Sequence, residues 1–238
     1  MLPYRGIASY LKVKSKTYSL FKTLIWEPSL RSQKNEQEKL EVTIQNTKFE
    51  GLLKKTKFFY RSDLPEEVLF KVGFVPIPDS QINNKHTNAM NLRDIQVVPY
   101  LLSKGAEDSL EVIFHEFCHA LYEGQSKETK EEIDNFYLNH SDPHSIFVYR
   151  YLNEALATAW GNGWYNETQY GQLSQKSWYA VNYIDELAKA YLPLIKFSIE
   201  NGKTLDNTFM GKTIEYAKKT FPNGPRDPPP RTSWQLDS

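Results

Sequence analysis

The feature that most constrains this chain is the stretch 112–122, which reads VIFHEFCHALY. It contains the pattern H-E-x-x-H, formed by His115, Glu116 and His119. Two histidines four positions apart lie on one face of an α-helix, so both imidazoles can reach a single Zn²⁺ ion at about 2.0–2.1 Å. Glu116 points at the same cleft and can take a proton from a metal-bound water. The stretch therefore predicts a helix that carries two zinc ligands and a general base.

The residues around the pattern are typical of a capped amphipathic helix. Asp108 and Glu111 form a D-x-x-E capping box at its predicted start, and Gly124 is expected to end it. The predicted core face consists of Leu110, Phe114, Phe117, Cys118 and Leu121. The predicted chemical face consists of Val112, His115, Glu116 and His119. The sequence thus keeps the packing side and the chemical side of the helix apart.

The composition limits the class of protein to which the chain can belong. Its 238 residues include 29 Lys and Arg and 29 Asp and Glu, so the formal net charge is zero. This balance argues against a nucleic-acid partner, because binding to nucleic acid needs clustered positive charge. A hydrophobic content of 40% is typical of a globular chain. The single cysteine, Cys118, excludes an internal disulfide framework.

The sequence also supports predictions about membrane-spanning segments and cellular location. It contains no run of 18 apolar residues, which predicts that there is no transmembrane segment. The N-terminus lacks the apolar core of a signal peptide, which favours a cytoplasmic location unless a signal was trimmed. Residues 1–28 contain no acidic residue before Glu27, and we expect their basic side chains to form a solvated face.

The predicted strands lie in the N-terminal half. Residues 29–39 are expected to form a polar connector, and residues 79–90, with His86, a polar loop. Apolar runs and alternation predict strands at 40–49, 57–60, 68–77 and 95–98. Pro99 is expected to end the last of these strands.

The predicted helices lie in the C-terminal half. A short helix is expected within 125–141. The next begins with Asp142 as its N-cap and Pro143 as its first residue, and Gly161 is expected to end it. Residues 174–200 show a long helical pattern, which we expect Pro193 to interrupt. The last helix is expected to start at the cap Asp206 and to run to about Thr220.

A catalytic zinc usually has three protein ligands and one open position, so a third ligand is needed. The other histidines, His86, His140 and His144, are poorer candidates than Glu154. Glu154 lies mid-helix among apolar residues, and a buried carboxylate needs a strong partner such as a metal. Ala157 and Thr158 are small enough to let this helix pack close to the first one.

The segment HEFCHALY followed by YLNEALA resembles the gluzincins, the H-E-x-x-H plus N-E-x-x-[ASG] zinc peptidases that include thermolysin and aminopeptidase N. The similarity covers about residues 95–160. It implies that His115, His119 and Glu154 bind the metal and that Glu116 is the general base. It also implies that residues 95–100 form the cleft strand that pairs with an extended peptide.

Two features depart from the gluzincin pattern. Glu154 follows His119 by 35 residues, a longer spacer than in the two prototypes, and residues 125–144 are expected to be the insertion. Residues 88–91 only faintly resemble the aminopeptidase G-x-M-E-N, and the glutamate that anchors a free amino terminus is missing. The resemblance is therefore to a divergent member and does not support aminopeptidase specificity.

The resemblance further implies supporting residues around the metal. Gluzincins supply a Tyr or His downstream of the glutamate ligand as a donor to the oxyanion. The candidates are Tyr170, Tyr179, Tyr183 and Tyr216, and the sequence does not choose between them. Asn153 and Thr158 are candidates to orient the zinc-binding histidines.

Together these features predict an α+β, zincin-like fold. A small mixed sheet in the N-terminal half packs on the active-site helix, and the C-terminal half is helical. One domain is expected over 1–222, with a sheet-bearing half at about 1–107 and a helical half at about 108–222, before a Pro-rich mobile tail at 223–238. The predicted function is a Zn²⁺-dependent peptidase acting on peptide or protein substrates. The alternative is a catalytically inactive zincin-like binding or scaffold domain that retains zinc.

Overall fold

The structure is a computed structural model, and it describes residues 15–46, 48–65, 71–77, 89–92, 95–101 and 109–223. The chain divides into two compact units. One comprises Met1–Thr47 and Leu69–Leu110, and the other comprises Lys48–Val68 and Glu111–Ser238. The described elements are mostly helices with one small sheet, which confirms the α+β class. Several sequence predictions lie outside these residues: most of the 79–90 loop with His86, the Asp108 cap, and the tail beyond 223.

In the described part of the first unit, a helix replaces the predicted connector and strand. Helical residues from 15 onward pass through a π-helical turn, Lys22–Trp26, into α1, Glu27–Asn46. The predictions for 29–39 and for 40–46 were therefore wrong. The segment is rich in Gln, Lys and Glu, which favour helices and pair one turn apart, as in the 2.7 Å ion pair between Lys39 and Glu36. The alternation at 40–44 has no strand geometry, since Leu40 is buried but Val42 is 55% exposed.

The sheet of the first unit has three strands in the order β1-β3-β2. The strands are β1 (Lys71–Ile77), β2 (Met90–Leu92) and β3 (Ile95–Leu101). β1 pairs in parallel with β3, and β2 pairs antiparallel with Ile95–Val97 of β3. Pro99 lies inside β3 instead of ending it.

The second unit is built from helices in the part of it that the structure describes. They are α2 (Phe49–Tyr60), α3 (Leu110–Glu123, whose first residue belongs to the first unit), α4 (Lys127–Leu138), α5 (His144–Thr158), α6 (Asn166–Tyr170), α7 (Asn182–Glu200) and α8 (Asn207–Thr220). A π-helical segment, Ala159–Tyr165, joins α5 to α6. The predicted helices at 110–123, within 125–141 and from 206 are confirmed, and the Asp206 side chain caps α8 as expected.

The core of the second unit is aromatic. Phe59 is fully buried and packs edge to face on Trp160 and on Phe209, with ring centroids 5.7 and 5.0 Å apart. Such pairs add specific geometry to the burial of large apolar rings. Phe59 lies in α2, where a strand was predicted at 57–60. That prediction was wrong because the buried positions of α2 repeat every three or four residues, which is a helical spacing.

Two predicted helix breaks do not occur. The helical path from α5 continues through Gly161 into α6, and α7 runs through Pro193. Pro193 lies on the exposed side of α7, where water can bind the carbonyl that a proline leaves without a hydrogen bond. None of the helices in the described ranges has the length and hydrophobicity needed to cross a membrane.

Candidate metal centre

The helix α3 presents two adjoining sides, as its pattern predicts. Phe114 and Phe117 pack edge to face on Phe49 of α2, with ring centroids 5.1 and 5.9 Å apart. This packing fixes the rotation of α3 about its axis. His115 and Glu116 are also buried, so the chemical side of α3 faces the interior of the second unit instead of open solvent.

A close helix contact sets the position of α3 against the chain that follows α5. A Cβ atom added at Gly161 would lie 2.7 Å from the backbone oxygen of Glu111 and 2.8 Å from the backbone nitrogen of His115. These are backbone atoms, so they cannot give way as a flexible side chain can. Gly161 is therefore a contact glycine that lets the His115 backbone approach the π-helical segment. The sequence signal for this role is a glycine inside an otherwise helical pattern.

Three side chains meet where α3 faces α5. The Nε2 atoms of His115 and His119 are 3.0 Å apart. Glu154 of α5 places Oε1 3.1 Å from Nε2 of His115 and Oε2 3.5 Å from Nε2 of His119. Among the described residues, this is the group of His, Cys, Asp or Glu side chains that could hold a metal ion.

These separations fit the coordination geometry of zinc. In a tetrahedral site with bonds of about 2.0–2.1 Å, neighbouring ligand atoms lie roughly 3.3–3.4 Å apart. The separations here, 3.0 Å between the two nitrogens and 3.1 and 3.5 Å from them to the two different oxygens of Glu154, are close to that value. Two imidazoles and one carboxylate are also a donor set that zinc accepts in catalytic sites, with the fourth position left open.

Asn153 supports the His119 ring. Its Oδ1 lies 3.0 Å from Nδ1 of His119, and an amide oxygen can only accept, so Nδ1–H donates. The neutral ring then carries its lone pair on Nε2, the atom that faces His115 and Glu154. The other candidate for this role, Thr158, has a buried hydroxyl with no hydrogen-bond partner in the described chain.

The protonation states favour metal binding. Burial lowers the pKa of His119, and the neighbouring His115 lowers it further, which keeps the ring neutral. Burial acts to raise the pKa of Glu154, but the hydrogen bond from His115 and the nearby His119 outweigh it and lower the pKa to about 2. A metal requires neutral imidazole and ionised carboxylate. The lowered pKa of His119 favours the neutral ring, whereas the lowering at Glu154 draws on the protonated form of the two histidines.

Glu116 differs from Glu154 in its electrostatics. Burial raises the pKa of Glu116, and the charge of Glu154 adds to that rise, although His119 opposes it. Two carboxylates with pKa values pushed apart are typical of sites in which one group stays ionised and the other exchanges a proton. Glu116 therefore has the character of a proton acceptor, and Glu154 that of a fixed anion.

Tyr179 is the tyrosine candidate that the structure brings to the three ligand atoms. Its ring is nearly parallel to that of His115, with centroids 6.3 Å apart and an interplanar angle of 12°. The Glu154 charge also lies close enough to its hydroxyl to raise the pKa of Tyr179, after the larger effect of burial. By contrast Tyr170 is 62% exposed at the end of α6, Tyr183 packs against Phe147, and Tyr216 lies half-buried on α8.

The other described histidines have different partners. His144 places Nδ1 2.9 Å from the Asp142 carboxylate and Nε2 2.9 Å from the carbonyl oxygen of Phe221. His140 accepts a hydrogen bond from the backbone N–H of Asp142. Asp142 accepts a hydrogen bond from the backbone N–H of His144 at 2.9 Å. The helix begins at His144 with Pro143 at the cap position, one residue later than predicted. These histidines tie the ends of helices together and are not part of the His115–His119–Glu154 cluster.

Comparisons with known proteins assign no family to the chain. No protein-family model, no curated protein and no solved structure matches the chain.

Proposed function

We propose that the chain is a zinc-dependent peptidase of the gluzincin type with a zincin-like fold. The observation that carries this proposal is the convergence of His115, His119 and Glu154, whose ligand atoms lie 3.0 to 3.5 Å apart, beside the buried Glu116. Two sequence segments 35 residues apart supply these groups. Their juxtaposition requires α3 and α5 to pack in one relative register, which is more than a local sequence match can supply.

In this proposal His115, His119 and Glu154 hold the metal. When bound, Zn²⁺ supplies the Lewis acidity that polarises a peptide carbonyl and makes water more acidic. Glu116 accepts the proton of the attacking water and delivers it to the leaving amine as the peptide bond breaks. The raised pKa of Glu116 suits its role as proton acceptor, because a carboxylate with a very low pKa would accept the proton of water weakly.

Tyr179 is the residue that we assign to the developing oxyanion. Its ring is nearly parallel to that of His115, with centroids 6.3 Å apart, which brings the phenol to the proposed metal ligands. In this proposal the phenol O–H donates to the carbonyl oxygen as charge builds on it. Burial and the Glu154 charge raise the pKa of Tyr179, so the phenol stays protonated and able to donate at neutral pH.

Turnover of peptides that depends on zinc tests this function. The purified chain, offered a library of internally quenched peptides, should cleave some of them. Treatment with a strong chelator should abolish cleavage, and one equivalent of Zn²⁺ should restore it. A chain that holds zinc but cleaves nothing in the library would overturn the peptidase assignment and leave the binding or scaffold domain as the better description.

A further inference from the structure

Tyr179 lies in an irregular segment, residues 171–181, between α6 and α7. A side chain on such a segment is placed accurately only if other groups hold the backbone. The site residues on α3 and α5 do not need such help, because helix packing fixes them. Contacts made by Asp185 and Trp178 hold the backbone at residue 179.

Asp185 supplies the main contacts. It lies in the first turn of α7, and its side chain points back along the chain. One carboxylate oxygen, Oδ1, accepts the backbone N–H of Trp178 at 2.5 Å and that of Tyr179 at 3.3 Å. The other, Oδ2, accepts from the Lys189 ammonium group at 2.7 Å. One side chain thus joins the segment to the rigid start of α7.

The burial of Asp185 shows that these contacts are specific. Asp185 is only 3% exposed, and a buried carboxylate is costly unless hydrogen bonds and an opposite charge compensate it. Burial acts to raise its pKa, but the bonds from Lys189 and from the two backbone N–H groups outweigh it and lower the pKa overall. The carboxylate is therefore ionised and fully engaged in holding the segment.

A second contact holds the neighbouring residue from the other side. A Cβ atom added at Gly163 would lie 2.9 Å from the Trp178 ring, so the ring fits against the backbone of the π-helical segment. The indole N–H donates to the carbonyl oxygen of Ser174 at 3.1 Å. Lys189 lies over the same ring, 5.9 Å from its centroid. Trp178 and Asp185 together clamp the backbone from which Tyr179 projects.

We infer that Asp185 is a positioning residue for catalysis, which acts by holding the backbone of Trp178 and Tyr179 so that the Tyr179 ring stays against His115. Asp185 contacts neither the metal ligands nor Glu116 in the described structure. It has this role only if the chain is the peptidase proposed above. Loss of the clamp displaces the Tyr179 donor, and displacements of about 1 Å in a catalytic group cost up to about 100-fold in rate.

Kinetics of five variants, including Tyr179→Phe alone, test this role. Asp185→Ala removes all three contacts and should lower kcat by about 10- to 100-fold, with little change in KM or in zinc content. Asp185→Asn keeps one oxygen acceptor and should lose less activity. In the Tyr179→Phe background, Asp185→Ala should cause no further loss, because both changes remove the same donor. Asp206→Ala is the matched control, since Asp206 also accepts a backbone N–H, at 2.8 Å, but at the start of α8.

The control variant should lose stability but keep kcat. The inference is overturned if Asp185→Ala retains wild-type kcat, or if its loss multiplies with that of Tyr179→Phe. Hydrogen exchange of the Trp178 and Tyr179 amides gives a readout that does not need activity. These amides should exchange at least about tenfold faster in Asp185→Ala, and unchanged exchange would overturn the clamp itself. An inactive wild-type chain with normal amide protection would instead mean that the peptidase proposal fails.

Discussion

Replacement of Glu116 by glutamine should abolish peptide turnover while zinc stays bound. Glutamine has nearly the shape of glutamate, so it fits the buried position of Glu116, which is only 8% exposed. It cannot accept the proton of the attacking water. General acid–base catalysis contributes about 10²- to 10⁴-fold to a rate, and we expect kcat to fall by at least that much. Initial rates on a peptide that the wild-type chain cleaves would measure the loss.

The control for this variant is on the same helix. Glu123 lies exposed at the end of α3, and Glu123→Gln changes the same functional group without touching the site. It should keep full activity. Zinc content should be the same in both variants and in the wild type, because neither residue belongs to the proposed ligand set. If Glu116→Gln protein that is free of wild-type chain turns peptide over at more than a tenth of the wild-type rate, Glu116 is not the general base.

Glu154→Ala should weaken zinc binding more than any change outside the two histidines. Its carboxylate is the proposed ligand that comes from a second helix, and it contacts both imidazoles at 3.1 and 3.5 Å. Residues that only orient a ligand, as Asn153 orients His119, typically contribute 10- to 100-fold to metal affinity. Loss of a direct ligand should therefore exceed about 100-fold. Competition with a chromophoric chelator measures these affinities for Glu154→Ala and Asn153→Ala side by side.

His140→Ala provides the control for the ligand assignment. His140 is a metal-binding residue type near α5, but its ring nitrogen accepts from a backbone N–H and its ring packs on Phe136. Its removal should leave zinc affinity unchanged. The ligand assignment would be wrong if Glu154→Ala bound zinc as tightly as the wild type, or if His140→Ala lost it.

The helix α3 could be predicted because its signals are local. The spacing of Phe114, Phe117 and Leu121 fixes a core side, and His115 and His119 must then lie on the other side. Glu154 could also be identified as a candidate from the sequence, because a carboxylate among apolar helical residues requires a partner. The helical structure of residues 40–46 could not be predicted, because a short alternation such as Leu40-x-Val42 occurs in helices as well as in strands.

Other parts of the site depend on contacts that no local pattern encodes. A glycine that ends a helix and a glycine that allows a close approach look the same in the sequence. Only the 2.7 Å distance from a Cβ at position 161 to the backbone of Glu111 distinguishes them. Likewise Tyr179 could not be chosen over Tyr183, because its position depends on the irregular segment that Asp185 holds.

The central claim is that His115, His119 and Glu154 form one zinc site, and metal analysis tests it most directly. Elemental mass spectrometry of the chain, purified without a metal-affinity tag, should find about one zinc per chain. The His115→Ala variant, if folded by circular dichroism, should contain almost none. Folded wild-type chain that takes up no stoichiometric zinc, or His115→Ala chain that retains it, would contradict the account.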